Sequence, residues 1–414
     1  MTIDFQPTGY NAYGSGAELV YIVSDANYTQ EKFRYIAQVY IDGTSVSKLK
    51  ALPNTSNKGV FDIANIVRDY VEPQVEFNTA NFENDEVGSR QVYVKFGYEY
   101  AVDTTSVPTE TLNLATSTSI EVTSGAYQAF GDNYGDLFVN DFDITSTLSP
   151  FLSRYNVSNH RVVEVTDNDW GTMTLFREGT TGTSINLAIQ FYDADGTLIP
   201  DGVYQYGLLT GAFNQITGNG IAHLGLYPEN LRANTTSAPS AGSVNPDDYA
   251  NWDTYKIKLS SSLTNTLMTF KRRPACNDRV RFAWWNTYGG WDFINCYGIE
   301  SESERVERKT FRTYGGNSFS ALNSYTHTAQ EGLGSGGRTK RIRTGRVNTN
   351  WLPEWMNDVI TDFFASPVKY VQVGNNWLPV QLNEDSIQIR NQRADKVWEY
   401  DFSYDYTNPY PAIG

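Results

Sequence analysis

The stretch KFRYIAQVYIDGTSVSKLKAL, residues 32–52, indicates the fold class most clearly. Apolar and aromatic side chains occupy every second position along its first half: Phe33, Tyr35, Ala37, Val39 and Ile41. A period of two is typical of a β-strand with one buried face. The dipeptide Asp42-Gly43 follows, and this pair favours the tight turn of a β-hairpin. The stretch therefore predicts two antiparallel strands.

The rest of the first hundred residues continues this pattern. QVYVKFGYEYAV, residues 91–102, alternates in the same way, and the chain contains 28 tyrosines, a residue favoured in strands. Between these strands, the apolar positions of VFDIANIVRDYVEPQ have helical spacing, which predicts one short helix near residues 61–72, with Asp62 as its cap and Pro73 at its end. Strands with one short helix favour an immunoglobulin-like or fibronectin-like β-sandwich.

Breaks in composition predict several domains in this mostly β chain of 414 residues. A Ser/Thr-rich connector at 103–119 and a Pro/Ser-rich break at 234–248 separate more regular regions. We expect β-sandwich domains of immunoglobulin or fibronectin type. The predicted boundaries are 1–104 for an immunoglobulin-like sandwich, 120–232 for a second β domain, 254–347 for a third, and 348–414 for a C-terminal segment packed with the third.

The C-terminal segment begins with the clearest amphipathic pattern in the chain. Asn350 is the expected cap and Pro367 should end the helix, which predicts a helix near 351–365. Seven apolar residues recur with helical spacing: Leu352, Trp355, Met356, Val359, Ile360, Phe363 and Phe364. Such a stripe predicts packing against the strands that follow.

Charge and cysteine content limit the possible functions. The formal net charge is −15, which argues against a chain that wraps nucleic acid or an anionic membrane. No apolar run is long enough to span a bilayer, and no secretory signal is visible at the N-terminus. The two cysteines, Cys276 and Cys296, are too far apart along a predicted hairpin to form a disulfide, so we expect reduced thiols and assembly in a reducing cytoplasm.

Basic residues concentrate in one region. Residues 271–346 hold 14 of the 32 Lys and Arg residues and only 7 of the 47 acidic ones. Because residues 331–346 are also rich in glycine, we expect a mobile loop there that becomes ordered against an acidic surface of another copy or of a neighbouring protein. Nucleic acid is the alternative partner. The basic candidate interface residues are Arg338, Lys340, Arg341, Arg343 and Arg346.

The segment RVRFAWWNTYGGWDFINCYG, residues 279–298, which we call the aromatic hairpin, is apolar on both predicted faces. A hairpin on a free surface normally has one polar face, so both faces are expected to be covered. Three explanations remain open: a central pair of core strands, a subunit interface, or a platform for stacking sugars. The aromatic candidate interface residues are Trp284, Trp285, Trp291 and Phe293.

Motifs that would indicate catalysis are weak. The three histidines, His160, His223 and His327, lie far apart in the sequence and in no metal or nucleophile motif. Asp193, Asp195 and Gly196 resemble part of a calcium loop, but position 12 of such a loop is Tyr204 instead of glutamate, so a hairpin turn is favoured. Asp167 and Asp169 similarly suggest a solvated turn. We therefore expect no enzyme activity, no catalytic or metal residues and no cofactor.

Three blocks of the sequence carry a resemblance to a known class of proteins. They are FRYIAQVYIDG…SKLKALPN…GVFDIANIVRDYV, RFAWWNTYGGWDFINCYG and WLPEWMNDVITDFFASPVKYV…WLPVQLNEDSIQI. These blocks look like those of large β-rich virion proteins of tailed bacteriophages, especially phages of marine and Bacteroidetes-type hosts. They cover about a third of the chain and contain patterns of apolar residues and turns, without catalytic signatures.

The resemblance implies a structural component of the tail or baseplate. Such a protein would assemble in the host cytoplasm, form a symmetric oligomeric ring with copies of itself, dock neighbouring virion proteins and reside in the virion. The alternative is a receptor-binding tail protein that binds or cleaves a glycan of the host surface. On either reading we expect no membrane span, and protein is favoured over nucleic acid as the partner.

Overall fold

The computed structural model describes most of the chain. The described residues are 1–7, 12–14, 16, 18–72, 77, 82–85, 88–125, 151–156, 161–177, 187–206, 220–233, 245–249, 251–259, 262–274, 279–298, 300–312, 333–383 and 397–407. His160, His327, Cys276 and Pro73 lie outside them, so the expectations attached to these residues are not addressed by the structure.

The described part of the chain is mostly β, as the sequence predicts. Its strands are β1 (Thr2–Phe5), β2 (Ala12–Gly14), β3 (Val20–Ser24), β4 (Glu31–Ile41), β5 (Thr44–Ala51), β6 (Lys58–Asp62), β7 (Phe82–Asp85), β8 (Ser89–Ala101), β9 (Thr109–Thr116), β10 (Ile120–Thr123), β11 (Val162–Val165), β12 (Thr172–Arg177), β13 (Leu187–Tyr192), β14 (Leu198–Tyr206), β15 (Gly220–Gly225), β16 (Thr254–Leu259), β17 (Ser262–Arg272), β18 (Val280–Trp285), β19 (Trp291–Cys296), β20 (Glu300–Arg312), β21 (Leu333–Asn348), β22 (Leu352–Pro353), β23 (Lys369–Val373), β24 (Asn376–Leu382), β25 (Val397–Trp398) and β26 (Asp401–Tyr406). The α-helices are α1 (Ala64–Arg68), α2 (Pro228–Ala233) and α3 (Asn357–Ala365).

The chain divides into two compact units. The first contains residues 1–275 and also residues 285–293, and the second contains 276–284 and 294–414. This division differs from the four predicted regions, because strands from different predicted regions pair in one sheet.

The N-terminal part of the first unit is a sandwich of two sheets. One sheet has the order β1-β3-β6, and the other has the order β2-β10-β8-β4-β5, with β9 also paired to β8. Residues 32–52 form the predicted hairpin, whose turn residues Asp42 and Gly43 have φ angles of 48° and 79°. Alternate residues of the central strands β4 and β8 face a common core, including Tyr35, Val39 and Phe96, which are fully buried.

Two further sheets complete the first unit. One is a five-stranded sheet with the order β11-β17-β16-β13-β14, and the other has three strands in the order β12-β15-β7. The predicted boundary at residue 254 is therefore wrong, since β16 pairs directly with β13. The predicted connector at 103–119 is also wrong in part, because its Thr-rich sequence forms β9, which pairs with β8. Threonine has high strand propensity, so this segment fits a sheet edge.

The second unit contains most of a seven-stranded sheet with the order β19-β18-β23-β24-β26-β21-β20, and the short pair β22-β25. Helix α3 provides the apolar cover of this unit: Phe363 is fully buried and contacts Phe282, with ring centroids 5.5 Å apart. Phe363 also contacts Phe402, at 5.6 Å.

Both predicted helices exist but are shorter than predicted. Near residues 61–72, α1 has five residues. Its N-cap position is Ile63, so Asp62 is not the cap, although the Asp62 carboxylate accepts a hydrogen bond from the Ala64 amide at 3.0 Å. Near 351–365, the helix begins at Asn357, after a 3₁₀ turn at Glu354–Met356. Asn350 is not its cap, because it has a φ of 60° well before the helix. Pro353 fits the start of that turn, since it lacks an amide proton.

Candidate interaction surface

The aromatic hairpin belongs to the core. All twelve residues of β18 and β19 are buried, which confirms that both faces are covered. In the first unit, Trp291 contacts Trp285 and Phe77, with ring centroids 5.0 Å and 4.7 Å apart. In the second unit, the Trp284 indole donates to the Asp362 carboxylate at 3.0 Å and contacts Phe363.

Buried polar groups hold the turn of the aromatic hairpin in place. The Asp292 carboxylate accepts hydrogen bonds from the Ser153 hydroxyl at 2.5 Å, the Arg154 amide at 2.8 Å and the Asn286 side chain at 2.8 Å. The Asn286 side-chain oxygen accepts from the amides of Tyr288 and Gly290, which closes the turn. A buried carboxylate with several donors is stabilised in its charged form and fixes its surroundings.

The four aromatic candidate interface residues therefore face the interior of their own chain. Their exposed fractions are Trp284 0%, Trp285 6%, Trp291 0% and Phe293 1%. Burial at this level leaves no side-chain surface for a partner or a sugar, so the core explanation replaces the interface explanation for these positions. Cys296, on the same hairpin, is a buried free thiol, and burial raises its pKa well above the usual range.

The basic, glycine-rich segment is a strand instead of a loop. Residues Leu333–Asn348 form β21, which pairs antiparallel with β20 along almost its whole length. Only Thr344–Asn348 also pair with β26 on the other side. Among the described residues, the part of the β20–β21 pair that lies beyond Thr344 is therefore only two strands wide. At the usual rise per residue, β21 extends about 35 Å from Thr344 to its first residue, Leu333. We call this pair the charged ribbon.

Three of the basic candidate residues form ion pairs with acidic groups of the same chain. Arg341 makes a bidentate ion pair with Glu304, with distances of 2.5 Å and 2.8 Å, and Arg343 pairs with Glu302. Arg346 pairs with Asp401 on β26 at 2.5 Å. These three arginines therefore have acidic partners within their own chain, without another copy or a neighbouring protein. The side chains of Arg338 and Lys340 lie outside the described residues, although both positions are on β21.

These pairs follow from the register of the charged ribbon. Glu304 lies opposite Arg343 and Val306 lies opposite Arg341, so one face carries an alternating, diagonal ladder of carboxylates and guanidinium groups. The hydrogen bonds from Arg341 hold the pKa of the Glu304 carboxyl below its usual range. A groove of about 320 Å³ follows this face, lined by Glu302, Ser303, Glu304, Arg341 and Arg343.

The charged ribbon is anchored at its base by tyrosines of β26. The guanidinium of Arg343 lies 5.0 Å from the ring centre of Tyr406, whose hydroxyl donates to Glu302 at 3.1 Å. Tyr404 lies directly over Gly345, where a Cβ atom would approach the Tyr404 ring to 2.3 Å. Glycine at this position therefore permits the close approach of the ring, and burial raises the pKa of Tyr404.

The outer strand of the charged ribbon is exposed to solvent. Glu300 and the following residues through Val306 are all exposed, and the Val306 side chain has 41% of its surface exposed. Strand β20 is also the last strand of its sheet in the described part of the chain. An edge strand presents backbone N–H and C=O groups that can pair with another chain.

The residues considered for catalysis have structural roles where they are described. His223 is buried, and its Nδ1 lies 3.0 Å from the Thr174 hydroxyl. The Asp193 carboxylate accepts from the amides of Asp195 and Thr197, as the hairpin-turn interpretation predicts. The solvated turn at 166–171 is wrong for Asp169, which is fully buried and accepts two hydrogen bonds from Thr166.

The described residues contain no cluster of three or more His, Cys, Asp or Glu side chains arranged to hold a metal ion. None of their helices is long and apolar enough to cross a bilayer.

Comparison with known proteins adds no family. No protein-family model matches the chain, and no curated protein matches it. The charged ribbon is consequently the candidate site with the most direct structural support, because it combines exposure, an edge strand and a regular charge pattern. The sequence pattern identified its basic strand but not the partner strand ESESERVERKTFR, in which glutamates at every second position, Glu300, Glu302 and Glu304, are a period-two signal.

Proposed function

We propose that the chain is a structural protein of a tailed-bacteriophage particle, a tail or baseplate component that associates with copies of itself and with neighbouring virion proteins. The observation that supports this proposal most strongly is the charged ribbon. A two-stranded hairpin alone is marginally stable in water, so a ribbon of this length gains stability when another surface covers it.

The charge distribution supports an assembly role for the charged ribbon. Ion pairs between exposed side chains contribute little to the stability of a single chain. The same groups become stronger when an interface excludes water, and they restrict which partner fits. A ladder of carboxylates and guanidinium groups on an edge strand is therefore better suited to selecting a partner than to holding the chain itself together.

The proposal is tested on purified phage particles whose genome encodes this chain. Quantitative peptide mass spectrometry should find the chain in the particles at many copies each, in a fixed ratio to other tail proteins. Absence from the particles, or a copy number far below one per particle, would contradict the virion role. Screening the pure protein on host-envelope polysaccharide and peptidoglycan complements this test, because reproducible cleavage would contradict a purely structural role.

A further inference from the structure

Strand β20 contains a charge order that is complementary to itself. Its sequence, ESESERVERKTFR, begins with three glutamates and ends with basic residues. If the strand is reversed about Val306, Glu304 lies opposite Arg308, Arg305 lies opposite Glu307, and Val306 lies opposite itself. Further out, the reversal places Glu300 opposite Arg312. Opposite charges directly across an antiparallel pair are stabilising, whereas like charges are destabilising.

We propose that β20 pairs antiparallel with β20 of a second copy of this chain, centred on Val306. The two ribbons then form a continuous four-stranded sheet in the order β21-β20-β20-β21. Such a contact is isologous, because the same surface serves both copies and each charge pair occurs twice. This contact adds one partner and one symmetry element to the proposed function. It depends on that function only because both require that copies of the chain associate.

The geometry of the described residues favours this occupant over other strands. The β20–β21 register is regular through Arg308 and shifts only between Arg308 and Thr310, so the five central positions 304–308 lie on a regular strand. Glu304 and Val306 share the face that also carries Arg341, and a carboxylate can accept from two arginines. The pair between Glu304 and Arg341 is therefore compatible with Arg308 of the second copy.

Charged edge strands often prevent a protein from associating with other chains. If β20 had that protective role, its charges would be arranged differently. A strand protected by charge repels a copy of itself in every alignment. The sequence of β20 repels a copy aligned in parallel, since glutamate then meets glutamate, but matches a copy aligned antiparallel about Val306. Orientation and register are thus specified by side chains, while the backbone groups of the edge provide the hydrogen bonds.

The first experiment uses charge reversal at one cross-strand pair in the full chain. Arg305→Glu alone places Glu against Glu307, and Glu307→Arg alone places Arg against Arg305, twice in each dimer. We expect each single variant to weaken self-association at least about tenfold in sedimentation velocity. An equimolar mixture of the two variants should restore association, because every cross-copy pair is again opposite in charge. Restoration by mixing would not occur if the variants merely misfolded.

The second experiment fixes the register with a disulfide. Val306→Cys should give a covalent dimer under mild oxidation, because the two positions lie directly opposite each other across the proposed axis. Ser303→Cys, an exposed position three residues away, is the matched control and should give little dimer, since its two copies lie about 20 Å apart. The parent chain controls for its natural thiols.

Three outcomes overturn the inference. If the mixture of charge variants stays as dissociated as each variant alone, or if Ser303→Cys cross-links as well as Val306→Cys, the proposed contact is wrong while self-association of the parent still stands. If the parent chain stays monomeric at its highest soluble concentration, both the contact and the self-association in the proposed function fail.

Discussion

The aromatic hairpin and the charged ribbon are both antiparallel pairs of strands, but their surroundings are opposite. The aromatic hairpin is buried on both faces, and its polar groups bond within the chain. The charged ribbon has an exposed outer strand and a face of alternating carboxylates and guanidinium groups. The backbone pairing is the same in both, so the side-chain pattern alone decides that one is core and the other is surface.

The largest effect should come from removing a ring of the aromatic hairpin. Trp291→Ala deletes a fully buried side chain that contacts Phe77 and Trp285, so we expect a loss of about 3–5 kcal/mol in the free energy of unfolding. Trp351→Ala is the matched control, because that side chain is 64% exposed and should change stability by less than about 0.5 kcal/mol. Denaturant unfolding measures both, and similar losses for the two variants would contradict the distinction.

A comparable loss is expected at the helix that covers the second unit. Phe363→Ala removes a fully buried ring that contacts Phe282 and Phe402, and should cost about 3 kcal/mol or more. Trp355→Ala should cost less, since that side chain is only half-buried. If both variants melt within about one degree of the parent chain, the apolar stripe along residues 352–364 is not packed in a core.

A smaller effect concerns pH and the buried hairpin. Lys369 is on β23 and lies opposite Trp284 of β18. Burial lowers the pKa of Lys369 to about 8, although the charge of Asp362 raises it. Between pH 8 and 9.5 the unfolded chain then binds more protons than the folded one, so stability should rise by about 1 kcal/mol. Thermal melts across this range test it. Lys369→Met should remove the rise, and an unchanged rise in that variant would assign it to another group.

The smallest effect on stability is expected in the charged ribbon. Arg341→Gln removes the bidentate pair with Glu304, but exposed ion pairs contribute little, so the melting midpoint should move by less than about 2 °C. The same variant at high and low salt should melt alike. A shift as large as that of Trp291→Ala would mean that the ribbon stabilises the single chain and is not reserved for a partner.

Local patterns in the sequence predicted much of this architecture. The hairpin at 32–52, the short helix after Asp62, and the covered faces of the aromatic hairpin all follow from period and turn chemistry between near neighbours. The domain boundaries could not be predicted in this way. Strand β16 pairs with β13, which is far away in the sequence, and no local pattern reveals such a pairing. Polar composition suggested connectors, but sheet edges have similar composition.

The sequence predicted only one of the two strands that form the candidate site. The basic residues of 331–346 were identified, but glycine content suggested a loop, whereas Gly345 is needed under the Tyr404 ring. Their partners Glu302 and Glu304 lie about forty residues earlier in the chain, and only the strand register brings them together. The aromatic residues were proposed as core, subunit interface or sugar platform, and their burial favours the core.

Hydrogen exchange measured by mass spectrometry at low and high concentration of the full chain tests the central contrast most directly. The account predicts that amides of Glu300–Arg308 become protected as concentration rises, because β20 gains a partner strand. Amides of Val280–Cys296 should be protected at both concentrations and show no change. Concentration-dependent protection in the aromatic hairpin, or its absence in β20 under conditions where the chain associates, would contradict the account.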